Sequence, residues 1–166
     1  MMPLPVAFSG TGPVTAWRLD RKQFAHEWDS GEGARLYGGR WNTPGNRVVY
    51  ASLDPATTIL ETAVHAGFEL LDRVPYLTTC FQIHDATDIH VVQPAKLPQM
   101  SWLQAGHVGH DQQVFGDQLL AAHRFVLLPS AVSPLSWNCL FNPQSAQGRY
   151  ALTEQYEFQL DARLRR

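Results

Sequence analysis

Between Gly33 and His65 the chain strings together signals that leave few local structures open. Gly38-Gly39 and Pro44-Gly45 impose turns and let the backbone approach a neighbouring group where a side chain would intrude. Arg35 and Arg40 flank the first pair. Each is a planar fork of donors matched to phosphate or carboxylate oxygens, so the loop reads as an anion cradle. For any single arginine, a charge on a solvated hairpin is the competing reading. Arg47-Val48-Val49-Tyr50-Ala51 is β-branched and aromatic between turn signals, which predicts a buried strand with Tyr50 near its end. A core tyrosine is the alternative role for Tyr50.

Asp54-Pro55 marks a helix start, with aspartate as N-cap and proline in the first turn, where its missing N–H costs nothing. Ala56, Ile59, Leu60, Ala63 and Val64 follow at the spacing of a core-facing stripe. Glu61 lies off that stripe, beside Thr57 and His65, its neighbours one turn away. On the helix alone it reads as a surface glutamate, unless the strand and the arginine loop bring this flank over a cleft.

The remainder reads as support. A length of 166 residues, 45% of them hydrophobic, suits one globular domain spanning residues 1–166. A formal charge of −2 argues against direct binding of long nucleic acid, which needs a strong basic excess. Cys80 and Cys139 lack CxxC spacing, and His107 with His110 lacks a third ligand at a recognisable spacing, so no metal site is indicated. Met1–Phe8 lacks a signal-like pattern and no apolar run approaches spanning length, so a cytoplasmic protein without membrane attachment is expected.

Ser9–Pro13 reads as a loop, and Thr15–Leu19 as a first strand whose Arg18 is either a third contributor to the anion site or, the favoured reading, an edge-strand charge. Lys22–Trp28 reads as a short helix. Tyr76–Ile83 and Ile89–Val92 read as strands, Pro94–Gly109 as a connection around Trp102, and Gln112–His123 as a second main helix. Arg124–Leu128 is a buried strand delivering Ser130 at its end, where a side chain can be held rigidly against a ligand. Trp137–Pro143 offers two amides and two aromatics near a turn, with Asn138 able to orient an amide or sugar and Asn142-Pro143 supplying the turn chemistry. Tyr150–Leu152 and Tyr156–Leu160 close as strands before a charged tail, residues 161–166, expected to fray.

Several of these pieces, in this order, carry a resemblance. Gly33-Ala-Arg35-Leu-Tyr-Gly-Gly-Arg40-Trp41-Asn42, Val48-Val-Tyr50-Ala-Ser52, Leu60-Glu61 with His65, Pro129-Ser130-Ala-Val132 and Asn138-Cys-Leu-Phe141-Asn-Pro143 resemble the RES-domain family, named for an arginine, a glutamate and a serine. The resemblance implies an α+β domain with a mixed, mainly antiparallel sheet and two main helices, related to ADP-ribosyltransferases. It implies a toxin of a toxin–antitoxin pair that consumes NAD as substrate, without a cofactor, and a helix-turn-helix antitoxin as partner. On this basis Glu61, Arg35, Arg40 and Ser130 form the catalytic set, while Tyr50, Gly39, Trp41, Asn138 and His65 contact substrate. Arg18 and Arg47 rank below the other arginines, and Ser145 competes with Ser130.

The implied reaction explains why one carboxylate suffices. Nicotinamide leaves NAD from a cationic ring nitrogen and departs neutral, so the general acid of ordinary glycosidases has no task. Charge develops on the ribose instead, where Glu61 can stabilise it or assist an incoming water or phosphate. Arg35 and Arg40 would neutralise the pyrophosphate, Tyr50 would position the nicotinamide end, Ser130 would fix the sugar, and His65 would sit behind Glu61. Transfer of ADP-ribose to a macromolecule requires the same groups, and a non-catalytic protein-binding module is the reading without chemistry.

Overall fold

A computed structural model describes residues 1–4, 8, 10–106 and 108–165. Seven strands among them build one sheet: β1 (Val14–Arg21), β2 (Val49–Ser52), β3 (Tyr76–Ile83), β4 (Ile89–Val91), β5 (Phe125–Pro129), β6 (Trp137–Phe141) and β7 (Tyr150–Phe158). Their order is β4-β5-β6-β2-β1-β3-β7. β4 and β5 run parallel, and the other neighbouring pairs are antiparallel. Short helices α1 (Glu32–Tyr37) and α3 (Phe68–Arg73) accompany the two main ones, α2 (Pro55–Ala66) and α4 (His110–Ala122). The single α+β domain has the expected class, and α4 supplies the crossover that a parallel pair requires.

Register decides what meets the site. Ser52 is paired with Trp17 on one side and Asn138 on the other, and Tyr50 with Leu140. Directly paired residues share a face, so Trp17, Leu19, Tyr50, Ser52, Asn138 and Leu140 project from the same side of the sheet. The opposite side carries the main core, including Ala16, Val49, Ala51, Phe81, Phe125, Cys139 and Phe141. On the first side lie two smaller cores. One gathers Trp41, Leu120, Val126, Leu128 and Leu140, and the other Leu19, Ala63, Leu71, Tyr76 and Leu160. Residues of both line the cavity described below.

Several local expectations change. Gly33–Gly39, read as loop, begins with the helix α1. Arg18 is no edge charge, because β1 lies between β2 and β3. Trp137–Phe141 is a wholly buried strand, in which the Asn138 amide finds partners inside the protein, and the turn expected at Asn142-Pro143 follows it. Tyr150–Phe158 runs as one strand. Ala162–Arg165 forms a 3-10 turn, with Arg165 paired to Asp72 at 2.8 Å, where fraying was expected. Ser9, His107 and Arg166 lie outside the described residues.

The largest change concerns α2. Its cap is as expected: the Asp54 carboxylate accepts from the Thr57 N–H at 2.7 Å and the Thr57 hydroxyl at 2.6 Å. Its buried face, however, carries Thr57, Thr58 and Ala63, while Leu60 and Val64 remain 37% and 58% exposed. Thr58 donates to the Trp17 carbonyl at 3.0 Å, so the threonines are satisfied when buried and the stripe of Leu60 and Val64 turns to solvent. This rotation carries Glu61 over the sheet.

Candidate active site

The glycine-rich loop is built around Tyr50. Its hydroxyl accepts the Trp41 N–H at 3.0 Å and donates to Asn42 Oδ1 at 2.7 Å. Burial pushes this phenol far above the ordinary tyrosine range. A Cβ at Gly39 would stand 2.6 Å from the Tyr50 hydroxyl oxygen, so glycine permits this approach. α4 seals the outside of the loop: Gln113 Nε2 donates to the Gly39 carbonyl at 2.9 Å, and a Cβ on Gly116 would collide with the Trp41 backbone. The Trp41 ring is buried against Trp102 and Phe115.

The two cradle arginines part company. Helix formation by Glu32–Tyr37 brings Arg35 onto Glu32, at 2.9 Å from Nε and 2.5 Å from Nη2. Arg47 reaches the same carboxylate at 2.7 Å. The Arg35 hydrogen bond is the main reason that the Glu32 carboxyl sits below its usual range. Arg35 is thus spent on α1 and is absent from the cavity lining. Arg40 does line it, with Nη1 donating to the Trp102 carbonyl at 2.9 Å and no carboxylate partner among the described residues.

The cavity measures about 730 Å³, a size suited to a small-molecule ligand. Arg18, Arg21, Arg40, Tyr50, Glu61 and His65 line it, together with apolar Leu19, Ala66 and Leu70. Arg18 is held by the Asp20 carboxylate at 2.9 and 3.0 Å and donates to the Tyr50 carbonyl at 2.7 Å, filling the gap where β1 and β2 diverge. Arg21 makes no side-chain ion pair or hydrogen bond among the described residues. Glu61 is the one acidic residue among the described lining residues. A chain with net charge −2 therefore carries a cavity whose side-chain charge is positive.

Glu61 is held from behind. The Ser130 hydroxyl donates to Glu61 Oε1 at 2.7 Å, and Asn138 Nδ2 donates to the same oxygen at 2.6 Å. Ser130 Oγ itself accepts from the Val132 and Ser133 N–H groups at 3.2 and 3.0 Å, so its one proton is directed to Glu61. Oε2 makes no hydrogen bond among the described residues and is the oxygen free to meet a ligand. Ser130 is 5% exposed and does not line the cavity; the hydroxyl expected to hold a sugar is committed to the carboxylate. Ser145 donates to the Asn142 carbonyl at 3.2 Å, away from this cluster. His65 lines the cavity without a hydrogen bond to Glu61.

Of the residues singled out in the sequence, Glu61, Arg40, Tyr50, Gly39, Trp41, Asn138 and His65 line one cavity, Ser130 stands behind Glu61, and Arg35 lies outside. Arg21 and Ser52 were overlooked. Alternation from Leu19 puts Arg21 on the site face of β1, a signal present in the sequence. Among the described residues no group of three or more His, Cys, Asp or Glu is placed to hold a metal, and no helix is long and apolar enough to cross a membrane.

A family model described as RES domain matches residues 15–161. The chain is similar to a protein named Prs ADP-ribosylating toxin from Sphingobium sp. (strain YBL2), at 35% identity over 133 residues, 76% of this chain and 81% of that one. It is similar to a protein named Toxin Res from Pseudomonas putida (strain KT2440), at 32% identity over 152 residues, 89% of this chain and 97% of that one. In three dimensions it matches a chain of the crystal structure of the M. tuberculosis MbcT-MbcA toxin-antitoxin complex with a TM-score of 0.72 and 19% identity, covering 90% of this chain and 87% of that one.

Proposed function

The chain belongs to the RES-domain family of toxins, and we propose that it depletes NAD by cleaving the bond between nicotinamide and ribose. The observation that carries this reading is a carboxylate, the one acidic group among the described lining residues, with one oxygen free among those residues, set in a cavity that also presents Arg40 and Arg21. The two guanidinium groups neutralise the pyrophosphate, and the Tyr50 ring and neighbouring apolar surface receive the flat rings. Arg35 and Ser130, grouped with the catalytic residues by resemblance, take other roles here: Arg35 supports α1, and Ser130 positions Glu61.

In the reaction the C1′–N bond breaks with its electron pair passing to the nicotinamide nitrogen, which leaves neutral. Glu61 Oε2 stabilises the positive charge that grows on the ribose, a charge-selective interaction stronger in the transition state than in the ground state. Water or phosphate then forms the new bond to C1′. Where water attacks, its proton passes to Glu61 and on to solvent.

The test is nicotinamide release from NAD by purified protein. Wild type is expected to release it, and Glu61→Gln, which keeps the shape of the side chain, is expected to lose the activity with its fold intact. Intact NAD after incubation with partner-free wild type would refute the reading. The relative named as an ADP-ribosylating toxin favours one second reading, transfer of ADP-ribose to a macromolecule. It is recognised by radiolabel from NAD retained on an acceptor rather than in a small-molecule product. The matched structure is of a toxin-antitoxin complex, and by extension a cognate antitoxin, of the helix-turn-helix type implied by the family resemblance, is the protein partner proposed here.

A further inference from the structure

Asn138 presents its amide to Glu61 edge-on, and a side-chain amide has two unlike ends. Nδ2 must face the carboxylate, because Oδ1 in its place would set two acceptors 2.6 Å apart. That leaves Oδ1 turned toward the neighbouring strand, on a residue only 8% exposed, where an unpaired carbonyl is costly. Ser52 supplies the missing donor. It is the register partner of Asn138 on the neighbouring strand, is 2% exposed, and its hydroxyl donates to Asn138 Oδ1 at 2.9 Å. The chain Ser52→Asn138→Glu61 thus runs from the middle of a rigid sheet to Oε1 of the carboxylate whose other oxygen, Oε2, is free among the described residues.

We propose that Ser52 is a positioning residue for the reaction: through Asn138 it holds Glu61 Oε1 in place, so that Oε2 is the oxygen delivered to the ribose. This rests on the NAD-cleaving reading. Without the Ser52 hydroxyl, the Asn138 carbonyl has no donor and the amide pivots to find one. Glu61 is then restrained on one side only, by Ser130. A carboxylate that wanders costs transition-state stabilisation while leaving the guanidinium contacts to substrate as they were, so kcat falls and KM does not.

A pair of variants isolates the hydroxyl at constant shape. Ser52→Thr keeps the donor, Ser52→Val has the same outline without it, and both suit a strand position. Ser52→Val is expected to lower kcat for nicotinamide release about 10- to 100-fold with KM near that of Ser52→Thr and a melting temperature a few degrees lower, while Ser52→Thr stays close to wild type in all three. In NAD-free protein, the Asn138 side-chain amide protons are expected to exchange faster with solvent in Ser52→Val than in Ser52→Thr, as read by NMR. Active wild type with equal kcat in the two variants overturns the role of Ser52 alone. Should Ser52→Val fail to fold, Ser52→Ala replaces it, with the same kcat loss expected and unchanged kcat overturning the proposal. Wild type that leaves NAD untouched overturns the reaction, and the positioning role with it.

Discussion

Arg35 and Arg40 are five positions apart in one glycine-rich segment, and the structure gives them opposite fates, so truncating each to alanine is a sharp comparison. Arg40 lines the cavity with no carboxylate partner among the described residues, and its Nη1 is steadied by the Trp102 carbonyl at 2.9 Å. That carbonyl also accepts from Gln112 Nε2 at 3.1 Å, so Arg40→Ala leaves no buried acceptor stranded and the fold is expected to survive. What is lost is charge-assisted hydrogen bonding to the substrate phosphates, about 1.5–3 kcal/mol. At about 1.4 kcal/mol per tenfold, this raises KM for NAD roughly 10- to 150-fold, with a smaller effect on kcat. Arg35→Ala removes one of two cations on Glu32, and Arg47 remains at 2.7 Å, so KM is expected to stay at the wild-type value. Initial rates of nicotinamide release against NAD concentration, with melting curves for each variant, make the measurement. If Arg35→Ala weakens NAD binding more than Arg40→Ala while both remain folded, the assignment of the cavity cations is wrong.

Three further outcomes follow from the geometry. Arg21→Ala, which breaks no ion pair or side-chain hydrogen bond among the described residues, is expected to raise KM for NAD without moving the melting temperature; an unchanged KM removes Arg21 from the binding surface. Gly116→Ala sets a methyl group against the Trp41 backbone and is expected to lose about 1–3 kcal/mol of stability by overpacking, read from urea unfolding; wild-type stability would contradict the close packing of α4 on the loop. His90 stacks on His123 with ring centroids 3.9 Å apart, and burial, then the neighbouring imidazole, hold its pKa below the ordinary value. A base depressed in the folded state contributes stability that is present above its unfolded pKa of about 6.5 and is lost as pH falls through the lower folded value. His90→Phe is therefore expected to flatten the loss of stability on acidification, and an acid slope equal to wild type would show that His90 is not depressed as described.

What the sequence made legible was mostly local chemistry. The Asp54 cap and Pro55 start of α2, the bounds Tyr76–Ile83 of β3 and the delivery of Ser130 at the end of β5 each follow from signals within a few residues. The face of α2 was not legible, because apolar count favoured Leu60 and Val64. Burial was decided instead by whether Thr57 and Thr58 could find acceptors at Asp54 and the Trp17 carbonyl. The same limit hid β6: an asparagine just ahead of an Asn-Pro turn gives no strand signal until Ser52 and Glu61, 86 and 77 positions away, are known to satisfy its amide. Nor does proximity in sequence say which arginine faces the cavity. One short helix was enough to hand Arg35 to Glu32 and leave Arg40 in place, while Arg21, on the site face by alternation, was missed because the first strand was expected to end at Leu19 and runs to Arg21.

The most direct test of the account is a crystal structure of Glu61→Gln, the variant expected to bind NAD without consuming it, soaked with the dinucleotide. The account predicts the nicotinamide ribose beside residue 61, on the side away from Ser130 and Asn138, with the pyrophosphate between Arg21 and Arg40. A dinucleotide bound outside this cavity, or one whose ribose lies beyond the reach of residue 61, would contradict it.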